Sequence, residues 1–151
     1  MKIYFASDHA GFDLKNVLVP FVLGLGYEVE DCGVHELDTD DDYPEIIAKT
    51  ARYVQGAPDT NRAIILGGSG QGEAMVANRF PGVRAAVYYG GPSDIIRLSR
   101  EHNDANVLSL GARFVSVEEA KEAVRAWLAT DFSSEERHLR RVTQIETSMQ
   151  I

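Results

Sequence analysis

Short apolar runs alternate with longer stretches in which apolar residues recur at helical spacing, and this rhythm repeats five times along the chain. KIYFAS at 2–7 reads as the first strand. Leu14, Leu18, Phe21, Val22 and Leu25 then follow a helical period until Gly24 and Gly26 close that helix. A strand resumes at 27–31. After an acidic loop, a helix over about 43–54 leads into 62–66, where AIIL is continuous enough for a strand buried on both faces and central in the sheet. A helix after Gly72, a strand at 84–89, a helix after Pro92 and a strand at 106–110 follow. A helix on Val117, Ala120, Val124, Trp127 and Leu128 completes the series. Right-handed crossovers place the helices of such β-α alternations on both faces of a parallel sheet, which predicts an α/β fold of three layers.

Residues 133–151 break this rhythm. Leu139, Val142, Ile145 and Met149 form one stripe and Arg137 and Arg141 lie on another face, so an extra C-terminal amphipathic helix is expected, docked on a second subunit of a homodimer. No repeat, linker or low-complexity segment divides the chain, and 151 residues with 44% hydrophobic content suit a single domain over 1–151. The formal charge of -8 repels nucleic acid and anionic membranes, so an anionic ligand must be met by a local basic cluster. Cys32 is the only cysteine, which excludes an intramolecular disulfide and makes a reducing cytoplasm the natural setting. Beside a strand, it reads as a small buried apolar residue. With no stretch of membrane-spanning length and no leader pattern, a soluble, unprocessed protein is expected.

Parallel α/β sheets bind ligands outside the carboxyl ends of their strands, near a switch in strand order. Two such exits are polar: Ser7, Asp8, His9, Ala10 and Gly11 after the first strand, and Gly67, Gly68, Ser69, Gly70, Gln71, Gly72 and Glu73 after the third. The glycines let successive N–H groups point at an anion beside the positive end of a helix, which reads as a phosphate cradle. The turn lacks the Lys-Ser/Thr of a P-loop, and it follows the wrong strand for a dinucleotide fingerprint. Glu73 opens the next helix, where a carboxylate can serve merely as a cap. Beside an anion-stabilising turn it is also the base that aldose-ketose isomerisation needs, chemistry that requires no metal or redox cofactor.

His102 ends a helix at the opposite pole, and about ten helical residues span roughly 15 Å. It cannot meet Glu73 within one chain, so a shared role for the two requires a neighbouring subunit. Asp8 is expected to cap the helix beginning near Gly11. Arg137 and Arg141, four residues apart, share a face that can grip a phosphate. His35 and His138 have no evident partner, and the run Asp38, Asp40, Asp41, Asp42 reads as a solvated loop without metal-ligand spacing.

Taken together, SDHAG at 7–11, DYP at 42–44, GGSGQG at 67–72, HNDANVLSLGAR at 102–113 and ERHLRRV at 136–142 closely resemble ribose-5-phosphate isomerase type B, in that family's order and spacing. The resemblance implies a Rossmann-like five-stranded sheet, sites built between subunits of a dimer or dimer of dimers, and conversion of ribose 5-phosphate to ribulose 5-phosphate. It reassigns the glycine turn. Gly68, Ser69, Gly70, Gln71 and Gly72 become the anion hole for an enediolate, while His9, Arg113, Arg137 and Arg141 hold the phosphate. Asp8 and Asn103 would bind sugar hydroxyls and His102 would open the furanose ring. One branch of the family places a cysteine base two residues before the Ser/Thr of the turn; here that position is Gly67, so Glu73 matches the carboxylate base of the other branch. The same departure disfavours the related galactose-6-phosphate isomerase subunits. Two alternatives stay open: the same chemistry on a tetrose or hexose phosphate, or a non-catalytic sugar-phosphate- or nucleotide-binding module. Segments 36–42 and 88–93 depart most from the family's pattern and could reshape the pocket.

Overall fold

The computed structural model describes residues 1–148; Met149, the last position of the expected apolar stripe, lies outside the described residues. β1 (Lys2–Ser7) leads through a 3-10 turn (His9–Gly11) into α1 (Phe12–Gly24). Then come β2 (Glu28–Asp31), α2 (Tyr43–Gly56), β3 (Asn61–Gly67), α3 (Gln71–Ala77), β4 (Ala85–Tyr88) and α4 (Asp94–Glu101). β5 (Val107–Gly111), α5 (Val117–Ala129) and α6 (Glu136–Ser148) complete the described chain. The five strands pair in parallel in the order β2-β1-β3-β5-β4. β3 is central, as its AIIL run requires, with Ala63, Ile64, Ile65 and Leu66 at most 1% exposed.

Alternate strand residues face opposite sides of a sheet. Ile3, Phe5, Ile64, Leu66, Leu108 and Leu110 accordingly pack with α1 and α5 around Trp127, whereas Tyr4, Ala6, Ala63, Ile65 and Val107 meet Ile47, Ala51 and Val54 of α2 and Ala77 of α3. The outcome is the expected Rossmann-like three-layer arrangement. Each large aliphatic side chain buried this way contributes about 2 kcal/mol, so the sheet forms a firm platform for the loops at its carboxyl ends. One charge enters the inner face of α1: Lys15, fully buried, pairs with Asp31 at the end of β2.

α6 is held differently. It starts at Glu136, later than expected, because the left-handed backbone at Ser134 (φ 54) interrupts the helical path. Leu139 and Ile145 remain 53% and 46% exposed, so the apolar stripe is not consumed by its own chain. Polar contacts fix the helix instead. Arg84 donates to Glu146 of α6 and to Asp104 of the loop before β5, and the Gly82 N–H also donates to Glu146. No described helix is long and apolar enough to cross a membrane.

Candidate active site

From β1 the chain crosses to β2 on one side and returns as β3 on the other, so strand order reverses between β1 and β3. A crevice opens beyond the carboxyl ends at such a point. Here it is a cleft of about 450 Å³ lined by Asp8, Tyr43, Gly68, Ser69, Gly72, Glu73, Arg113 and Phe114, a volume suited to a small molecule.

Glu73 lies in the first turn of α3, whose N-cap Gly70 takes a left-handed conformation (φ 75) that few other residues tolerate. The turn is braced from β5, where the Ser109 hydroxyl donates to the Gly70 carbonyl at 2.6 Å. From that start the Glu73 side chain folds back over β3. A Cβ at position 67 would coincide with its carboxyl group, so the absence of a side chain at Gly67 is what admits the carboxylate. Glu73 is 4% exposed. Burial raises its pKa above the ordinary carboxyl value; a bond from its own backbone N–H opposes this and the nearby Asp8 charge adds to it. Burial thus outweighs the N–H bond, and the carboxylate is a stronger base than usual.

Asp8 caps the 3-10 turn as expected, accepting from the N–H groups of Ala10 (2.9 Å) and Gly11 (3.1 Å) through Oδ1. Arg113 reaches the cleft because the β3/β5 ladder runs on past the strands, with Ala112 N–H donating to Gly67 O (2.9 Å) and Arg113 N–H to Gly68 O (3.1 Å). Its guanidinium then lies against the bare face of Gly68. His9 Nδ1 lies 2.6 Å from Asp41 Oδ1, and this bond raises the imidazole pKa, against desolvation of the ring and the nearby Arg113 charge.

The acidic run therefore requires a correction. Asp38 and Asp40 are exposed, as a solvated loop predicts, but the Asp41 side chain is only 7% exposed because it turns inward onto His9. One ligating atom each from Asp8, His9 and Asp41 lies within 4.8 Å of the others. The 2.6 Å contact within that trio is an imidazole–carboxylate hydrogen bond rather than a pair of open ligands.

The remaining residues expected at the site lie elsewhere on the chain. Gln71 is exposed and lines a neighbouring groove over β4 with Met75 and Val87. His102 caps α4, and its ring lies 4.2 Å, centroid to centroid, from that of His138. Asn103 faces a separate groove beside Ile145 and Glu146, while Arg137 and Arg141 are exposed on α6. None of these lines the Glu73 cleft. Cys32, after β2, is half-buried, and burial pushes its thiol up to about 11, which suits a packing role.

The family model described as Ribose/Galactose Isomerase matches residues 3–145. The chain belongs to the ribose/galactose isomerase family. Among curated members of that family, it is 40% identical to ribose-5-phosphate isomerase B of Escherichia coli over 95% of this chain and 93% of the relative. It is likewise 40% identical to that of Mycobacterium tuberculosis, over 94% and 86%. Its backbone matches the crystal structure of ribose-5-phosphate isomerase B from Mycoplasma genitalium with bound ribulose-5-phosphate at a TM-score of 0.94, with 34% identity over 99% and 96% of the two chains.

In this chain the pairing of Gly67 with Glu73 has a physical reading: a side chain at position 67 would exclude the carboxylate from the place it occupies. Sequence reasoning missed four neighbours of the expected residues. Tyr43 lines the cleft with its hydroxyl 2.6 Å from where a Cβ on Gly72 would stand. Its place in the DYP block was the available signal. Phe114 sits on the rim, edge-on to Tyr89. Asp41 holds His9. His138, 2% exposed, meets Ser133 Oγ at 2.8 Å and backs His102, and burial lowers its pKa.

Proposed function

We propose that this chain is an isomerase that interconverts ribose 5-phosphate and ribulose 5-phosphate through ring opening and a cis-enediolate. The observation that carries the reading is the Glu73 carboxylate, buried at the switch point over Gly67 and beside the turn at 68–72. Glu73 takes the C2 proton of the open-chain aldose and returns it to C1, while O2 gives up a proton and O1 gains one. Negative charge on the enediolate oxygen is met by Ser69 and the backbone N–H groups of the turn. A raised pKa brings the base nearer to neutral and strengthens it for a weak carbon acid.

The phosphate is gripped by His9 and Arg113 of one copy and by Arg137 and Arg141 of another. That second copy also brings His102, which opens the furanose ring, and Asn103, which with Asp8 binds sugar hydroxyls. A homodimer, alone or paired into a tetramer, follows from this assignment, and the half-exposed stripe of α6 is the surface available for it. The reading is supported by the ribulose-5-phosphate bound in the Mycoplasma genitalium relative. A panel of tetrose, pentose and hexose phosphates compared by kcat/KM tests it. Ribose 5-phosphate is expected to lead by at least about tenfold; a tetrose or hexose phosphate well ahead of it, or no turnover of any, would overturn the assignment.

A further inference from the structure

The acidic loop before α2 carries a feature that the isomerase reading does not use. Asp41 places its carboxylate inward, 7% exposed, and both of its donors belong to one residue: His9 Nδ1 at 2.6 Å and the His9 backbone N–H at 3.2 Å, each on Oδ1. Its other oxygen is buried and meets no donor among the described residues. A buried carboxylate with so little compensation is costly unless its partner is a cation. The arrangement therefore favours His9 as an imidazolium and fixes which ring nitrogen faces the loop. Nε2 has no partner among the described residues.

We propose that Asp41 is a positioning residue for the substrate's phosphate, holding His9 by Nδ1 so that Nε2–H is presented to the phosphate. This inference rests on the assignment of His9 to the phosphate grip. Three charged groups face the imidazole: Asp41 from the loop before α2, Asp8 from the end of β1, and Arg113 from the segment after β5. The Asp41 bond is the largest influence and raises its pKa, with Asp8 adding to it, while desolvation of the ring and, to a smaller extent, Arg113 oppose the rise. His9 thereby keeps its charge to higher pH than a free histidine, and a charged donor binds phosphate more strongly than a neutral one.

Asp41→Asn keeps the size of the side chain and removes its charge. The test measures KM for ribose 5-phosphate and competitive inhibition by inorganic phosphate across pH, in wild type, Asp41→Asn, His9→Asn and the double variant. Asp41→Asn is expected to raise KM and weaken phosphate inhibition about tenfold near pH 8, where an unassisted imidazole is neutral. The difference shrinks toward about pH 5.5, where the imidazole is charged in either protein, and kcat changes far less than KM. In the His9→Asn background the Asp41 substitution adds nothing, since it acts through the ring.

A pH-independent loss, or the same loss in both backgrounds, would overturn the proposal. If His9→Asn weakens phosphate binding and Asp41→Asn does not, Asp41 is excluded while the phosphate role of His9 stands. If His9→Asn changes neither KM nor phosphate inhibition, both fall. An NMR titration of His9 in the wild-type protein needs no folded variant: an imidazole titrating at or below the ordinary value of about 6.5 refutes the proposal.

Discussion

Glu73 is 4% exposed and shaped into place by β3, β5 and the glycine turn, whereas Arg137 and Arg141 stand in solvent on a helix whose apolar stripe is about half exposed. The first group needs nothing from outside the chain to adopt its geometry. Among the described residues the second has only a surface ion pair, Arg137 with Glu135 at 2.9 Å, a contact of small worth that a phosphate can readily displace. On the proposed assignment, preorganisation is concentrated where a proton would move, and phosphate recognition is left to a surface that a second copy would complete. His102 sides with the surface half, since it packs on His138 of α6 rather than toward the cleft.

The strongest test of that division mixes two dead enzymes. Glu73→Gln and His102→Asn are each expected to lower kcat, the former by about a thousandfold with retained binding of substrate analogues. If the two groups come from different copies, subunit exchange in an equal mixture makes about half of the dimers hybrid, each with one intact site, and about one quarter of wild-type activity returns. No recovery would place both groups in one chain. Glu73→Gln has a second readout. The native chain holds the Glu73 proton more tightly than the unfolded chain, so ionisation costs native stability as pH rises from the ordinary carboxyl range through the raised native pKa, and the cost persists above it. The variant is therefore expected to melt above wild type at neutral pH, a difference that vanishes in acid. An unchanged or lower Tm at neutral pH would contradict the burial cost.

A smaller change attacks the same half through shape. Gly67→Ala puts a methyl group where the Glu73 carboxyl lies, forcing the carboxylate away from the turn. The expected result is a loss of about a hundredfold in kcat, with overpacking that destabilises the fold by roughly 1–3 kcal/mol. Normal turnover with an unchanged Tm would mean that the carboxylate has other room.

The legibility of these two halves in the sequence also differed. Strand and helix periods depend on local spacing, so the AIIL strand and the five β-α units were readable. The glycine turn was readable too, because several close glycines after a strand have few uses. Asp41 was not. Four acids in a short run look alike, and only the docking of the loop against the 3-10 turn decides which one is buried. His138 was hidden for the same reason: its partners, Ser133 and His102, are brought to it by the kink at Ser134 and the end of α4. Separation of His102 from Glu73 could be foreseen, since it follows from helix length and strand direction alone.

The smallest expected effects belong to the exposed half. Arg137→Ala and Arg141→Ala remove donors that lie four residues apart on one face of α6 and contribute nothing to the core. Each is expected to raise KM for ribose 5-phosphate about tenfold, the worth of a charge-assisted contact to phosphate, with kcat changed far less. Thermal unfolding is expected to stay put, because the Glu135 pair lost with Arg137 lies in solvent. This pattern is the reverse of the Gly67 one, in which kcat and stability fall together. Unchanged KM in both arginine variants would remove α6 from the phosphate grip, and a large drop in Tm would show that the helix is built into the fold more firmly than its exposed stripe implies.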